Sequence, residues 1–247
     1  MKYLSIVTTV YNAEDSIEET ILSVLKQKSE YVEYVVIDGG SNDRTLDIIN
    51  SYQAAIDCIV SELDFGVYDG MNKGVGKSKG EYIYFLQAGD QLRDGVISKV
   101  VECIKDNGNR TALIYGDVYW KQLGIVYDGL FDKYKLTRKN ICQQAIFYNK
   151  KLFDELGMFD LSYKIVADYV FNLKCYGRKN IYKYYMNEII ADYDCGMSAS
   201  GKDKKLTRYR RYILIYKNLG VNCLLYAVLV SFVNLMKKCL CLGSSCD

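Results

Sequence analysis

The chain has 247 residues, half of them hydrophobic, a formal net charge of +2, and neither histidine nor proline. That length suits one α/β domain with a C-terminal extension, and the near-balance of charge excludes an acidic disordered protein and gives no pointer to nucleic acid. Without histidine there is no Ser-His-Asp triad, Cys-His dyad or His-ligated zinc, so acid–base work falls to Asp, Glu, Lys, Tyr or Cys.

In chain order, Tyr3–Val10 reads as a short buried strand ending at Tyr11-Asn12. It is too short for a signal peptide, and no small-residue cleavage site follows. Asp15 to Gln27 reads as a helix with Ile17, Ile21, Val24 and Leu25 on one face. Val32–Ile37 is the second strand, stopped by Asp38-Gly39-Gly40-Ser41-Asn42. Asp43 to Tyr52 is the next helix, with Ser41 or Asn42 as the expected N-cap. Ile56–Val60, a helix over Tyr68 to Lys77, and Tyr82–Leu86 complete the first ninety-five residues. Strand and helix in alternation imply a mostly parallel sheet with helices on both faces. Ligands in such a sheet sit beyond the carboxyl ends of the strands. Thr8, Thr9, Tyr11 and Asn12 close the first strand, Asp38 closes the second, Glu62 and Asp64 follow the third, and Asp90 follows the fourth.

Further on come a helix over Val96 to Cys103, a strand over Ala112–Tyr115, and an irregular segment from Ile141 through Tyr169. The last part changes character. Lys202, Lys204, Lys205, Arg208, Arg210 and Arg211 precede the apolar run Val221 to Met236. That run is shorter than the roughly 20 residues of a membrane span, so it reads as an interfacial helix over 202–241 or as a packing or homodimer contact. The nine cysteines are odd in number and scattered, which suits a reducing cytoplasm better than a disulfide framework.

Several short motifs carry chemistry. Asp38-Gly39-Gly40-Ser41 puts a carboxylate at a strand end, where it can hold a ribose or base or simply close a loop. Ser61 through Gly74 packs Glu62, Asp64, Asp69 and Lys73 among glycines and aromatics. Gly76-Lys77-Ser78 lacks the upstream glycine of a phosphate loop, and no GxGxxG follows the first strand. Asp168 is an acid inside an apolar stretch, which needs either a partner or a function.

Taken in order, five stretches resemble glycosyltransferase family 2. They are Ser5 to Asn12; Val36 to Ser41 with Asp43 and Thr45; Ser61 to Gly74; Gly80 to Asp90; and Gln144 to Tyr148 leading to Gly157-Met158-Phe159-Asp160 and Ala167-Asp168-Tyr169. Asp64-x-Gly66-x-Tyr68-Asp69-x-Met71-Asn72-Lys73-Gly74 is similar to the polysaccharide and O-antigen sub-group. The resemblance implies a GT-A type α/β fold over 1–200, with a donor nucleotide-binding half (1–95), an acceptor half (96–200) and a basic, apolar tail (201–247). It implies an inverting transfer from a nucleotide-diphosphate sugar, with UDP favoured, to a saccharide or polyprenyl-linked acceptor in cell-surface polysaccharide assembly. The expected place is the cytoplasm, at the cytoplasmic face of the inner membrane. Thr8 and Tyr11 would line the base pocket, and Asp38 would meet base or ribose. Glu62, Asp69 and Lys73 would lie near the nucleotide, Asp90 would hold Mn2+ or Mg2+, and Asp168 would be the catalytic base. The chain departs from the family pattern at Gln87 and Gly89, where the DxD region usually has aspartates, at Gly39, where an acid often follows Asp38, and at Gln143, which is often histidine. Two rivals remain. A nucleotidyltransferase would carry a basic glycine-rich loop after the first strand. A catalytically inactive nucleotide-sugar-binding scaffold would bind donor without turnover.

Overall fold

The computed structural model describes residues 1–108, 110–194 and 206–243, the last six of these by backbone alone. Lys202, Lys204 and Lys205 lie outside the described residues. The first half runs β1 (Leu4–Val10), α1 (Ile17–Leu25), β2 (Val32–Asp38), α2 (Thr45–Ser51), β3 (Cys58–Ser61), α3 (Val67–Lys77) and β4 (Tyr82–Gln87). The second half runs β5 (Gln91–Leu92), α4 (Val96–Asn107), β6 (Ala112–Trp120), β7 (Ile125–Tyr127), α5 (Lys133–Leu136), β8 (Ile146–Asn149), α6 (Lys151–Leu156), α7 (Ala167–Gly177) and β9 (Tyr182–Tyr193). Two helices, α8 (Arg208–Leu219) and α9 (Val221–Gly243), follow.

One sheet takes the order β3-β2-β1-β4-β8-β6-β9-β5, with β7 added on β6. The first four strands are parallel, as the alternation predicts. Beyond β4 the sheet becomes mixed: β8 is antiparallel to both β4 and β6, while β6 and β9 are parallel. The sheet is thus parallel through its first half and mixed beyond it, where the long β6–β9 pairing is again parallel and the antiparallel pairings are short. Strands β1 and β2 are buried along their whole length, because helices cover both faces.

Two local expectations are corrected. Neither Ser41 nor Asn42 caps α2; that position is Arg44, and Asp43 Oδ1 accepts the Thr45 amide at 2.9 Å. Ser41 is instead drawn to Asp38, and the Asn42 amide donates to Asn12 Oδ1 at 2.9 Å. Strand β6 runs five residues past Tyr115 to Trp120, with register shifts around Gly116 and Asp117.

The tail packs on the domain. Ile215, Cys223 and Ala227 are buried, and Arg211 donates to the Thr137 carbonyl at 2.5 Å and lies over the Tyr169 ring. The closest approach is at Gly177, the end of α7. A Cβ there would sit 2.2 Å from the Asn218 carbonyl oxygen of α8. Backbone cannot yield as a side-chain tip can, so Gly177→Ala should cost about 1–3 kcal/mol, as overpacking does. At this chain size that lowers the melting temperature by several degrees, on the order of 2–4 °C per kcal/mol. An unchanged thermal melt would show that α8 shifts freely.

Candidate active site

The carboxyl ends of β1, β3 and β4 meet the second half of the chain around a cavity of ≈ 530 Å³. From the first half, Thr9 lies near the end of β1 and Tyr11 follows it, Asp64 and Gly66 to Tyr68 follow β3, and Gln87 ends β4. From the second half come Trp120, Tyr127, Asn140, Gln143, Gln144, Lys164, Asp168 and Tyr193.

Asp168 stands in the first turn of α7, 7% exposed. The partial positive charge of a helix N-terminus favours an anion there. The Tyr68 hydroxyl lies 2.7 Å from Asp168 Oδ1 and 2.7 Å from the Ile165 carbonyl, so its one proton is shared between them. Asn140 Nδ2 donates to Asp168 Oδ2 at 2.6 Å. Asn172 Nδ2 in turn donates to Asn140 Oδ1 at 2.9 Å, and Asn172 Oδ1 accepts from Tyr148 at 3.1 Å. This chain fixes the carboxylate against rotation. Burial raises its pKa above the usual carboxylate range, and the bonds from Tyr68, the Tyr169 amide and Asn140 only partly offset that. A buried, oriented carboxylate of raised basicity on a cavity wall is equipped to take a proton. Asn140 and Asn172 carry no signal in the sequence, because they come from separate segments with no shared spacing; Tyr68 stands in the Asp64-to-Gly74 signature, which assigns it no role.

The structure places the other predicted residues as follows. Tyr11 lines the cavity and is 58% exposed, so its ring is free to stack. Thr8 is corrected: it is fully buried, 3.1 Å from the Tyr34 hydroxyl, and Thr9 takes its place on the cavity wall. Successive strand residues point to opposite faces, so one residue of parity decides the matter. Asp38 is also buried, holding Ser41 Oγ at 2.5 Å and Ser61 Oγ at 2.6 Å, and so ties β2 to β3 beneath the cavity.

Lys73 Nζ meets Glu62 at 3.0 Å, Asp69 at 3.6 Å and the Leu63 carbonyl at 2.7 Å. These three side chains brace the loop beside the cavity rather than forming its wall. What they brace is Asp64, which sequence reasoning placed after the strand but did not select. Its carboxylate fills the space next to Gly39, where a Cβ would fall 2.6 Å from Asp64 Oδ2. Gly70 closes from the other side at 3.3 Å. The acid absent at residue 39 thus has a counterpart that arrives from the next loop.

Asp90 is 2% exposed and is not on the cavity wall. Burial pushes its carboxyl up to about 7, against a hydrogen bond from the Asp194 amide at 2.8 Å and one from the Gln144 side chain; the Asp194 carboxylate adds to the rise. Among the described residues no three Asp, Glu, Cys or His converge on a metal position. The donor chemistry nevertheless fits a hard divalent cation, since Mg2+ and Mn2+ sites use one or two carboxylates together with substrate phosphates. Two acids side by side, one held up near neutrality, are relieved by such a cation.

The comparisons with known proteins agree with this geometry. The model of "Glycosyl transferase family 2" matches residues 5–159. A PGL/p-HBAD biosynthesis glycosyltransferase of Mycobacterium tuberculosis is 33% identical over 211 residues, 83% of this chain and 82% of that protein. S. aureus TarS superposes with a TM-score of 0.65 at 19% identity over 89% of this chain, which spans 43% of that chain. A mannosyltransferase of Pyrobaculum calidifontis, solved with GDP-Man and Mn2+, superposes with a TM-score of 0.62 at 13% identity over 97% of this chain and 80% of that one. The fold is therefore of the GT-A type, and the chain belongs to glycosyl transferase family 2.

Proposed function

We propose that this chain is an inverting glycosyltransferase that moves a hexosyl or N-acetylhexosaminyl group from a UDP-sugar to a saccharide or polyprenyl-linked acceptor. The observation that carries the proposal is Asp168: a buried, doubly hydrogen-bonded carboxylate facing a cavity whose other wall is the nucleotide edge of the sheet. The acceptor hydroxyl gives its proton to Asp168 as its oxygen bonds to the anomeric carbon. The bond from that carbon to the diphosphate breaks on the opposite face, and the electron pair leaves with the nucleoside diphosphate. One displacement of this kind inverts the centre. Tyr11 stacks on the base, and Thr9 and Asp64 face the sugar nucleotide. Asp90 would hold a divalent cation, which supplies positive charge to offset the leaving diphosphate. TarS in complex with UDP-GlcNAc and the mannosyltransferase with GDP-Man and Mn2+ support a nucleotide-sugar donor and a metal for this site.

A thermal-shift panel of UDP-, GDP- and dTDP-sugars with and without Mn2+ tests the proposal. A ligand that binds the native state raises apparent stability, by about 2.7 kcal/mol at one hundred times its Kd. UDP-sugars with Mn2+ should give the largest rise; no rise with any donor would sink the assignment.

The tail is proposed to rest on an anionic lipid surface at the cytoplasmic face of the inner membrane, in polysaccharide assembly. Leu225, Leu229, Phe232 and Met236 form one exposed stripe on α9. Residues 206–243 contain six Lys and Arg and no Asp or Glu. No helix among the described residues is long and apolar enough to cross a membrane. Cations beside an unpartnered apolar stripe match an interfacial helix. Flotation with vesicles of anionic phospholipid should carry the full chain upward and leave Leu229→Glu/Phe232→Glu behind. Equal flotation of both, or a dimer that dissociates in the variant, would instead assign the stripe to another contact.

A further inference from the structure

Trp120 is the chain's single tryptophan. It ends β6, paired with Ile125 of β7 and Tyr193 of β9. Its ring meets Tyr127 at 6.0 Å and Tyr193 at 5.6 Å between centroids, both edge-on. All three rings line the cavity that holds Asp168. Three residues lining that cavity carry a buried polar atom with no hydrogen-bond partner among the described residues: Thr9 Oγ1 on the β1 side, and Trp120 Nε1 and Gln143 Oε1 on the side of these rings. Gln143 is only 7% exposed, and its Nε2 donates to the Phe85 carbonyl at 3.3 Å, which fixes Oε1 as the unpaired end of the amide.

An unmade buried hydrogen bond costs on the order of 1–3 kcal/mol, so such atoms on a pocket wall await a ligand. Indole N–H only donates, and an amide oxygen only accepts. The ligand must therefore present an acceptor to Trp120 and a donor to Gln143. Hydroxyl groups do both. A ring with apolar C–H faces and a rim of hydroxyls also matches a wall of aromatic side chains, which pair an apolar body with a polar tip. These residues come from β6, β7, β9 and the segment before β8, not from the β1–β3 edge where Thr9 and Tyr11 stand.

We infer that Trp120, Tyr127, Tyr193 and Gln143 form a subsite for a pyranose ring of the acceptor, beside Asp168. This inference rests on the glycosyltransferase assignment above. Because Trp120 is the chain's sole indole, its emission reports directly on the subsite. Full-length protein saturated with UDP and Mn2+ is titrated with methyl pyranosides of glucose, galactose, mannose, rhamnose and N-acetylglucosamine. At least one should change indole emission saturably, and Gln143→Leu should weaken that Kd about tenfold, the effect of one lost hydrogen bond of about 1.4 kcal/mol. Trp120→Phe, followed by thermal shift with the same pyranoside, keeps an aromatic ring and removes the N–H, and it should weaken binding comparably.

If UDP alone moves the emission and no pyranoside does, Trp120 belongs to the donor side and the subsite is refuted. If neither moves it, the subsite is refuted as well. A donor thermal shift run in parallel separates the two claims. Donor binding without any pyranoside response removes the subsite alone, whereas no donor binding removes the glycosyltransferase assignment itself.

Discussion

Asp168→Asn should lower kcat by on the order of 10³-fold, within the range that a positioned general base contributes. Donor affinity should change little, because the loss falls on the transition state. The fold should survive the change. The new amide would face the Asn140 amide nitrogen, donor against donor, but a half-turn of the Asn140 and Asn172 amides restores every pairing. The Tyr148 hydroxyl then accepts where it now donates. Steady-state rates together with a donor thermal shift check both halves. Retained turnover would remove Asp168 as the base, and donor binding lost along with turnover would mean a collapsed site. The pH profile adds a second check. Burial raises the carboxyl, and the base acts when ionised, so the acid limb of kcat should lie above the ordinary carboxylate range. Asn140→Ala removes a bond to the charged form and should move that limb higher still.

Asp90→Asn should flatten the dependence of metal-free stability on pH. The folded carboxyl is held at about 7, above its ordinary 3.8. The folded state therefore binds more protons than the unfolded chain between those values, and stability falls as pH rises through that window. The contribution is fully present below about pH 4 and lost above about pH 7, with a span on the order of 4 kcal/mol. In chelator, the difference in melting temperature between variant and wild type should grow in favour of the variant from pH 4 to pH 8. Parallel melting curves across that range would refute the raised carboxyl. Mn2+ favours the ionised form, so adding it at pH 8 should stabilise the wild type and leave the variant unmoved.

The legible part of the molecule is the part where local pattern and chain order coincide. Strands β1 to β4 and helices α1 and α3 have their own periodicity, and each strand end brings polar residues to one edge. Strand β6 was read five residues short because Gly116 and Asp117 interrupt its apolar run, and pairing with β9 through a shifted register carries it on to Trp120. Thr8 and Thr9 could not be told apart because β1 is buried on both faces and has no alternation to set its parity. Asp64 is visible in the sequence as one of three acids between Ser61 and Gly74, but nothing there sets it apart from Glu62 and Asp69. Its position depends on two glycines, Gly39 and Gly70, that are thirty-one residues apart in sequence and adjacent only once the loop folds back. Asp168 was legible as an anomaly, an acid among apolar residues; the amides and hydroxyls that orient it were not.

The approach of Gly177 to Asn218 bears on how portable the tail is. Helix α7 carries Asp168 in its first turn and meets α8 at its last residue, where a methyl group would already collide with backbone. Asp168 and the α8–α9 pair are thus opposite ends of one mechanical unit. A chimera that grafts another relative's tail from Arg208 onward would inherit a mismatched seat for α8. A graft that begins before α7 would carry its seat with it, at the expense of replacing Asp168 along with the tail.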